Sequence, residues 1–100
     1  MENLYQKAHP GFIMPNIDIP DGFIDSSYQD DEYPSWSTND IGNNDHPSIQ
    51  IWIAYDHGYS DRSIWDEVLK NGIYQICFDG NRWISTNDFS KIVELIQEYK

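Results

Sequence analysis

Two short β-rich runs joined by Asp79-Gly80 constrain the fold of this chain more than any other stretch. Ile73 to Phe78 reads Ile-Tyr-Gln-Ile-Cys-Phe, and Asn81 to Ser85 reads Asn-Arg-Trp-Ile-Ser. Asp-Gly between such runs is a strong local signal for a type I′ hairpin, because both central residues of that turn take positive φ. A two-residue turn sets Phe78 opposite Asn81, Cys77 opposite Arg82, Ile76 opposite Trp83 and Tyr74 opposite Ser85. One face then carries Tyr74, Ile76, Phe78 and Trp83, apolar enough for a core wall. The other carries Ile73, Gln75, Cys77, Arg82 and Ile84.

Upstream, Pro47 to Tyr55 alternates strictly. Ile49, Ile51, Ile53 and Tyr55 share one face and Gln50, Trp52 and Ala54 the other, a period of two that predicts a strand. Apolar groups on both faces place it centrally in the sheet. The period changes after Ser60, where Ile64, Trp65, Val68 and Leu69 fall on one helical face. Ser60 or Ser63 is available as the cap, and Asn71-Gly72 stops the helix. A second helix follows the hairpin, capped by Thr86 or Asn87, with Phe89, Ile92, Val93, Ile96 and Tyr99 as its stripe and Leu95 at the margin. The expectation is an α+β fold. Its small antiparallel or mixed sheet has strands at about 48–55, 73–78 and 81–85, with 17–19 at an edge, and helices at about 61–71 and 87–99 pack on it.

The first half carries less period. Residues 1–15 contain Pro10, Gly11 and Pro15 and read as an extended arm pinned by Phe12, Ile13 and Met14. Ile17 and Ile19 flank Asp18 as a short edge strand, and Pro20-Asp21-Gly22 turns the chain toward Phe23 and Ile24. From 25 to 46 turn chemistry dominates, with Tyr28, Tyr33, Trp36 and Ile41 set among Ser, Asp, Asn and Gly, and the segment reads as one long acidic loop. Loops of such length in compact domains are commonly functional or disordered. Its rings serve either as interface anchors beside carboxylates or as a cover for the sheet. The whole of 1–100 reads as one domain, near the commonest domain size.

Charge is the most unusual compositional fact. The formal net charge is −11 over 100 residues, where a small domain is comfortable at a magnitude of about 2 to 8. No Lys or Arg lies between Lys7 and Arg62, an interval that holds Asp18, Asp21, Asp25, Asp30, Asp31, Glu32, Asp40, Asp45, Asp56 and Asp61. Such a field repels the phosphates of nucleic acids and membranes and attracts a basic partner, subject to salt screening. The single cysteine, Cys77, excludes an intrachain disulfide and, in mid-strand, reads as a small buried hydrophobe. No window approaches the ~18 apolar residues of a membrane span, and a signal-peptide pattern is missing, so a cytoplasmic protein is expected.

Catalytic and metal chemistry find little purchase. Of the three histidines, His46 follows Asp45 and His57 follows Asp56, but adjacent residues on a strand point to opposite faces and do not share a ligand easily. The Asn16-Asp18-Asp21-Gly22 run misses a calcium loop by one residue and has Pro20 where a ligand belongs. No nucleophile elbow, phosphate loop, dinucleotide fingerprint or Cys-x-x-Cys occurs. No catalytic residue, metal or cofactor is therefore expected. The reading from a different class is a small metal-dependent enzyme using Asp56 and His57.

What distinguishes the chain is an anionic surface with aromatics interspersed. Duplex DNA carries a charge every ~1.7 Å along its axis, a density that clustered carboxylates match locally. The expectation is an inhibitor that presents carboxylates to a basic, nucleic-acid-handling protein, touching neither nucleic acid nor membrane itself. The expected contacts are Asp25, Tyr28, Asp30, Asp31, Glu32, Tyr33, Trp36, Asp40 and Asp45. In composition alone the chain resembles the DNA-mimic and anti-defence inhibitors of phages and mobile elements, anti-CRISPR proteins among them. An immunity or antitoxin-like protein that neutralises a basic toxin is the alternative, with the same electrostatics.

Overall fold

The computed structural model describes residues 4–28, 31–38, 48–79 and 82–99. Its elements run α1 (Leu4–Ala8), β1 (Phe23–Asp25), β2 (Ser35–Thr38), β3 (Ile49–Ile53), α2 (Arg62–Asn71), β4 (Tyr74–Phe78), β5 (Arg82–Thr86) and α3 (Phe89–Tyr99). The strands form one five-stranded sheet in chain order, and every neighbouring pair is antiparallel. This is the α+β architecture that the alternation and the helical stripes imply.

Alternation decides what the sheet buries. Ile49, Ile51 and Ile53 of β3 stand opposite Phe78, Ile76 and Tyr74 of β4, and Trp36 of β2 stands opposite Ile51. Ile51 and Ile76 are 0 % exposed; burying one such side chain stabilises by about 1.5–3 kcal/mol. Helix α3 covers this face with Ile92 and Ile96, its Phe89 ring 5.2 Å from Tyr74 and its Tyr99 stacked 5.0 Å from Phe78. At the other end Tyr5 and Phe12 close over Trp36. Helix α2, in the connection from β3 to β4, buries none of its residues fully.

The hairpin register differs from the two-residue expectation. Phe78 pairs with Arg82, Cys77 with Trp83, Ile76 with Ile84 and Tyr74 with Thr86, so the connection is three residues long, 79–81. Asp79 takes the expected positive φ, 53°, and its N–H donates to Ser48 O at 3.0 Å. Gly80 and Asn81 lie outside the described residues. A slip of one residue exchanges the two faces of a strand. Ile84 therefore joins the core, and Trp83 moves to the opposite side.

Three further expectations change. Residues 17–19 form no strand; Ile17 N–H is taken by Pro15 O at 2.8 Å, and Ile17 and Ile19 pack on the core without joining the ladder. The edge is β1. The loop expected over 25–46 contains β2, whose backbone pairs on both sides; residues 29–30 and 39–47, with Ile41, lie outside the described set. The arm expected over 1–15 winds into α1, whose Tyr5 N–H donates to Asp25 Oδ2 at 2.9 Å.

The caps sit beside the predicted ones. Asp61 caps α2, its Oδ1 accepting Ser63 N–H at 3.0 Å, and Asp88 does the same for α3 through Ser90 N–H, as side-chain oxygens satisfy first-turn donors. Asn87 instead bridges two elements, accepting from Ile73 N–H at 3.1 Å and donating to Leu69 O at 2.7 Å. Gly72 allows that close join. Its φ is 128°, and a Cβ there would lie 2.3 Å from Thr86 N.

Candidate functional site

The sheet face opposite the isoleucine core is built from the alternate residues. Two rows cross β2 to β5: Ser35, Trp52, Gln75, Ser85 and Ser37, Gln50, Cys77, Trp83. Trp52 and Trp83 are diagonal neighbours across β4, with ring centroids 6.3 Å apart and planes at 33°. Trp83 is 55 % exposed, and Trp52 is half-buried. The Trp52 indole N–H is buried and finds no acceptor among the described residues.

Beside this pair runs the segment from β1 to β2. Asp31, Glu32 and Tyr33 join Trp52, Gln75 and Trp83 around a cavity of about 250 Å³. Glu32 is fixed from behind by residues that follow β3. Tyr59 donates its hydroxyl proton to Glu32 Oε1, so the Tyr33 hydroxyl must donate to Tyr59. His57 Nε2 stands 3.6 Å from the same carboxylate oxygen. His57 lies 4.3 Å from the Tyr59 ring, which in turn stacks on Trp65 of α2 at 6.3 Å.

These contacts hold Glu32 as an anion. The Tyr59 hydroxyl foremost, with Tyr33 and His57 assisting against partial burial, lowers its pKa below the ordinary carboxylate value. Burial, reinforced by Glu32, pushes the Tyr59 phenol up, so it remains a donor. A fixed carboxylate beside exposed π faces attracts a cation. The described Lys and Arg residues are occupied or placed elsewhere: Arg62 pairs with Asp56, Lys91 with Glu94, Arg82 lies 5.7 Å over the Phe78 ring, Lys7 lines a separate hollow and Lys70 lies in the last turn of α2. None of them lines this cavity.

The expected contact residues divide. Asp31, Glu32 and Tyr33 come together here, Tyr33 mostly buried at 8 % exposure with its hydroxyl in the network. Asp25 turns away to anchor the N-terminus, accepting Tyr5 N–H and Ser27 N–H. Tyr28 is exposed but lines a separate hollow with Leu4, Lys7 and Ser27. Trp36 is 5 % exposed on the covered face. Asp30, Asp40, Asp45 and His46 lie outside the described residues.

Sequence reasoning missed Trp52, Gln75, Trp83 and Tyr59. Alternation in β3 already set Trp52 and Gln50 apart from the isoleucines, which was the available signal; Trp83 was hidden by the register.

Asp56 and His57 do not converge on one ligand. Arg62 Nη1 donates to Asp56 Oδ1 at 2.9 Å and Nη2 to Oδ2, which holds that carboxyl down to about 2, while His57 faces Glu32. Among the described residues no three His, Cys, Asp or Glu side chains gather as a metal-ligand set, and no helix is long and apolar enough to cross a membrane. No family model, curated protein or solved structure matches the chain.

Proposed function

We propose that this protein is a binding module that inhibits a basic, nucleic-acid-handling protein by offering carboxylates where the target takes phosphates. The observation that carries the reading is the charge: −11 in total, with no cation between Lys7 and Arg62. The corner formed by Asp31, Glu32, Trp52 and Trp83 supports it, since rigid aromatic anchors beside charge are what concentrates binding energy in an interface. Complementary fields speed association and make it sensitive to salt. Anti-defence inhibitors of the anti-CRISPR kind are the compositional parallel.

Capture from lysate followed by competition tests the reading. The expected catch is a basic protein that elutes with salt and is displaced by duplex DNA added at fixed ionic strength. A catch that duplex DNA fails to displace would contradict mimicry of a phosphate backbone.

A further inference from the structure

We infer that the cavity between the Asp31–Glu32 pair and the Trp52–Trp83 pair receives one arginine side chain from the partner, an inference that rests on the basic-partner reading above. The walls suit a planar cation on each side. Trp83, 55 % exposed, offers a π face, and Trp52 stands 6.3 Å away across β4 as the second, less mobile ring. Guanidinium stacks on such faces while its fork of donors reaches carboxylate oxygens, which an ammonium point charge does not reproduce. Glu32 is held in place by Tyr59, so the acceptor is ordered before the ligand arrives, and Gln75 lines the same cavity.

The competing occupants fit less well. An anionic ligand meets Asp31 and Glu32 head on. A neutral sugar stacks on tryptophan but leaves two carboxylates unanswered in a domain of net charge −11. The Trp52 indole N–H, being buried, takes no part in the arginine contact; the main chain that carries the arginine is left to the exposed rim around Trp83.

The test uses the whole chain, labelled with ¹⁵N, and two small probes: N-acetyl-arginine N-methylamide and its uncharged citrulline counterpart. The expected result is a saturable shift of the Trp52 and Trp83 indole N–H resonances by the arginine probe, about tenfold weaker with citrulline. Trp83→Ala should abolish the Trp52 shift, and Glu32→Gln should weaken it while the amide spectrum stays folded. Equal response to both probes would overturn the inference, as would no indole response to arginine, or saturation by cellobiose without response to arginine. If the indoles fail to respond while DNA still displaces a captured partner, only the arginine receptor falls. If the indoles respond and no DNA-displaceable partner exists, the receptor stands and the inhibitor reading falls.

Discussion

The two faces of this sheet are made by alternate residues of the same strands, yet one is packed with large apolar side chains and the other carries small and polar ones with a tryptophan exposed on β5. The sealed face runs Trp36, Ile51, Ile76, Ile84 across four strands and is closed by α3 and the N-terminal segment. The opposite face runs Ser37, Gln50, Cys77, Trp83 in the adjoining row, where Ser37 and Cys77 are buried and the tryptophan stands half in water. The proposal thus places recognition on the side of β3 and β4 opposite the core. Trp36 and Trp83 state the contrast in one residue type: 5 % and 55 % exposed, one belongs to the core and the other to the surface that the proposal gives to a partner.

The strongest way to break this contrast is truncation. Trp36→Ala is expected to cost about 3–5 kcal/mol of unfolding free energy, as removal of large core aromatics does, measurable by urea titration; a loss near zero would place the ring outside the core. Gly72→Ala comes next. Positive φ and a backbone atom in the way of the new Cβ predict a loss of about 1–3 kcal/mol, because the join between the end of α2 and Thr86 at the end of β5 must open.

Acid gives a smaller and graded effect. His9 is buried, 4 % exposed, with Nδ1 3.0 Å from the Tyr55 hydroxyl, and burial lowers its pKa from 6.5. The unfolded chain therefore takes up that proton first, and stability falls as pH drops below about 6.5. Glu32 is depressed in the folded state, so its contribution is present above its unfolded value and lost as pH falls through the folded one. Thermal melts across pH should show two limbs, and His9→Gln should remove the upper one. Smallest of all is the stability effect of Trp83→Ala, expected below about 1 kcal/mol as for other surface substitutions, with partner affinity falling at least about tenfold. A large stability loss with affinity intact would reverse the roles assigned to the two tryptophans.

How much of this was legible in the sequence depends on how the elements are written. β3 declares itself, since three isoleucines at period two leave no other way to bury them. Helices α2 and α3 follow from stripes of Ile, Trp, Val and Leu and from stops at Gly72. β2 does not declare itself: Ser-Trp-Ser-Thr holds one large inward residue among hydroxyls that also suit turns, and only pairing on both sides makes it a strand. The candidate site was legible in half. Asp31, Glu32 and Tyr33 were visible as an acidic and aromatic run, but their meeting with Trp83 depends on one added residue in a turn. Local turn chemistry at Asp79-Gly80 does not distinguish a two-residue from a three-residue connection.

The claim on which the functional account stands is that the Asp30–Glu32 run is read by a cationic surface. The direct measurement is partner affinity against salt concentration for the native chain and for D30N/D31N/E32Q. Weaker binding and a shallower salt dependence are expected, with a melting temperature lowered by no more than the lower acid limb assigned to Glu32. Native affinity with an unchanged salt slope in that variant would contradict it.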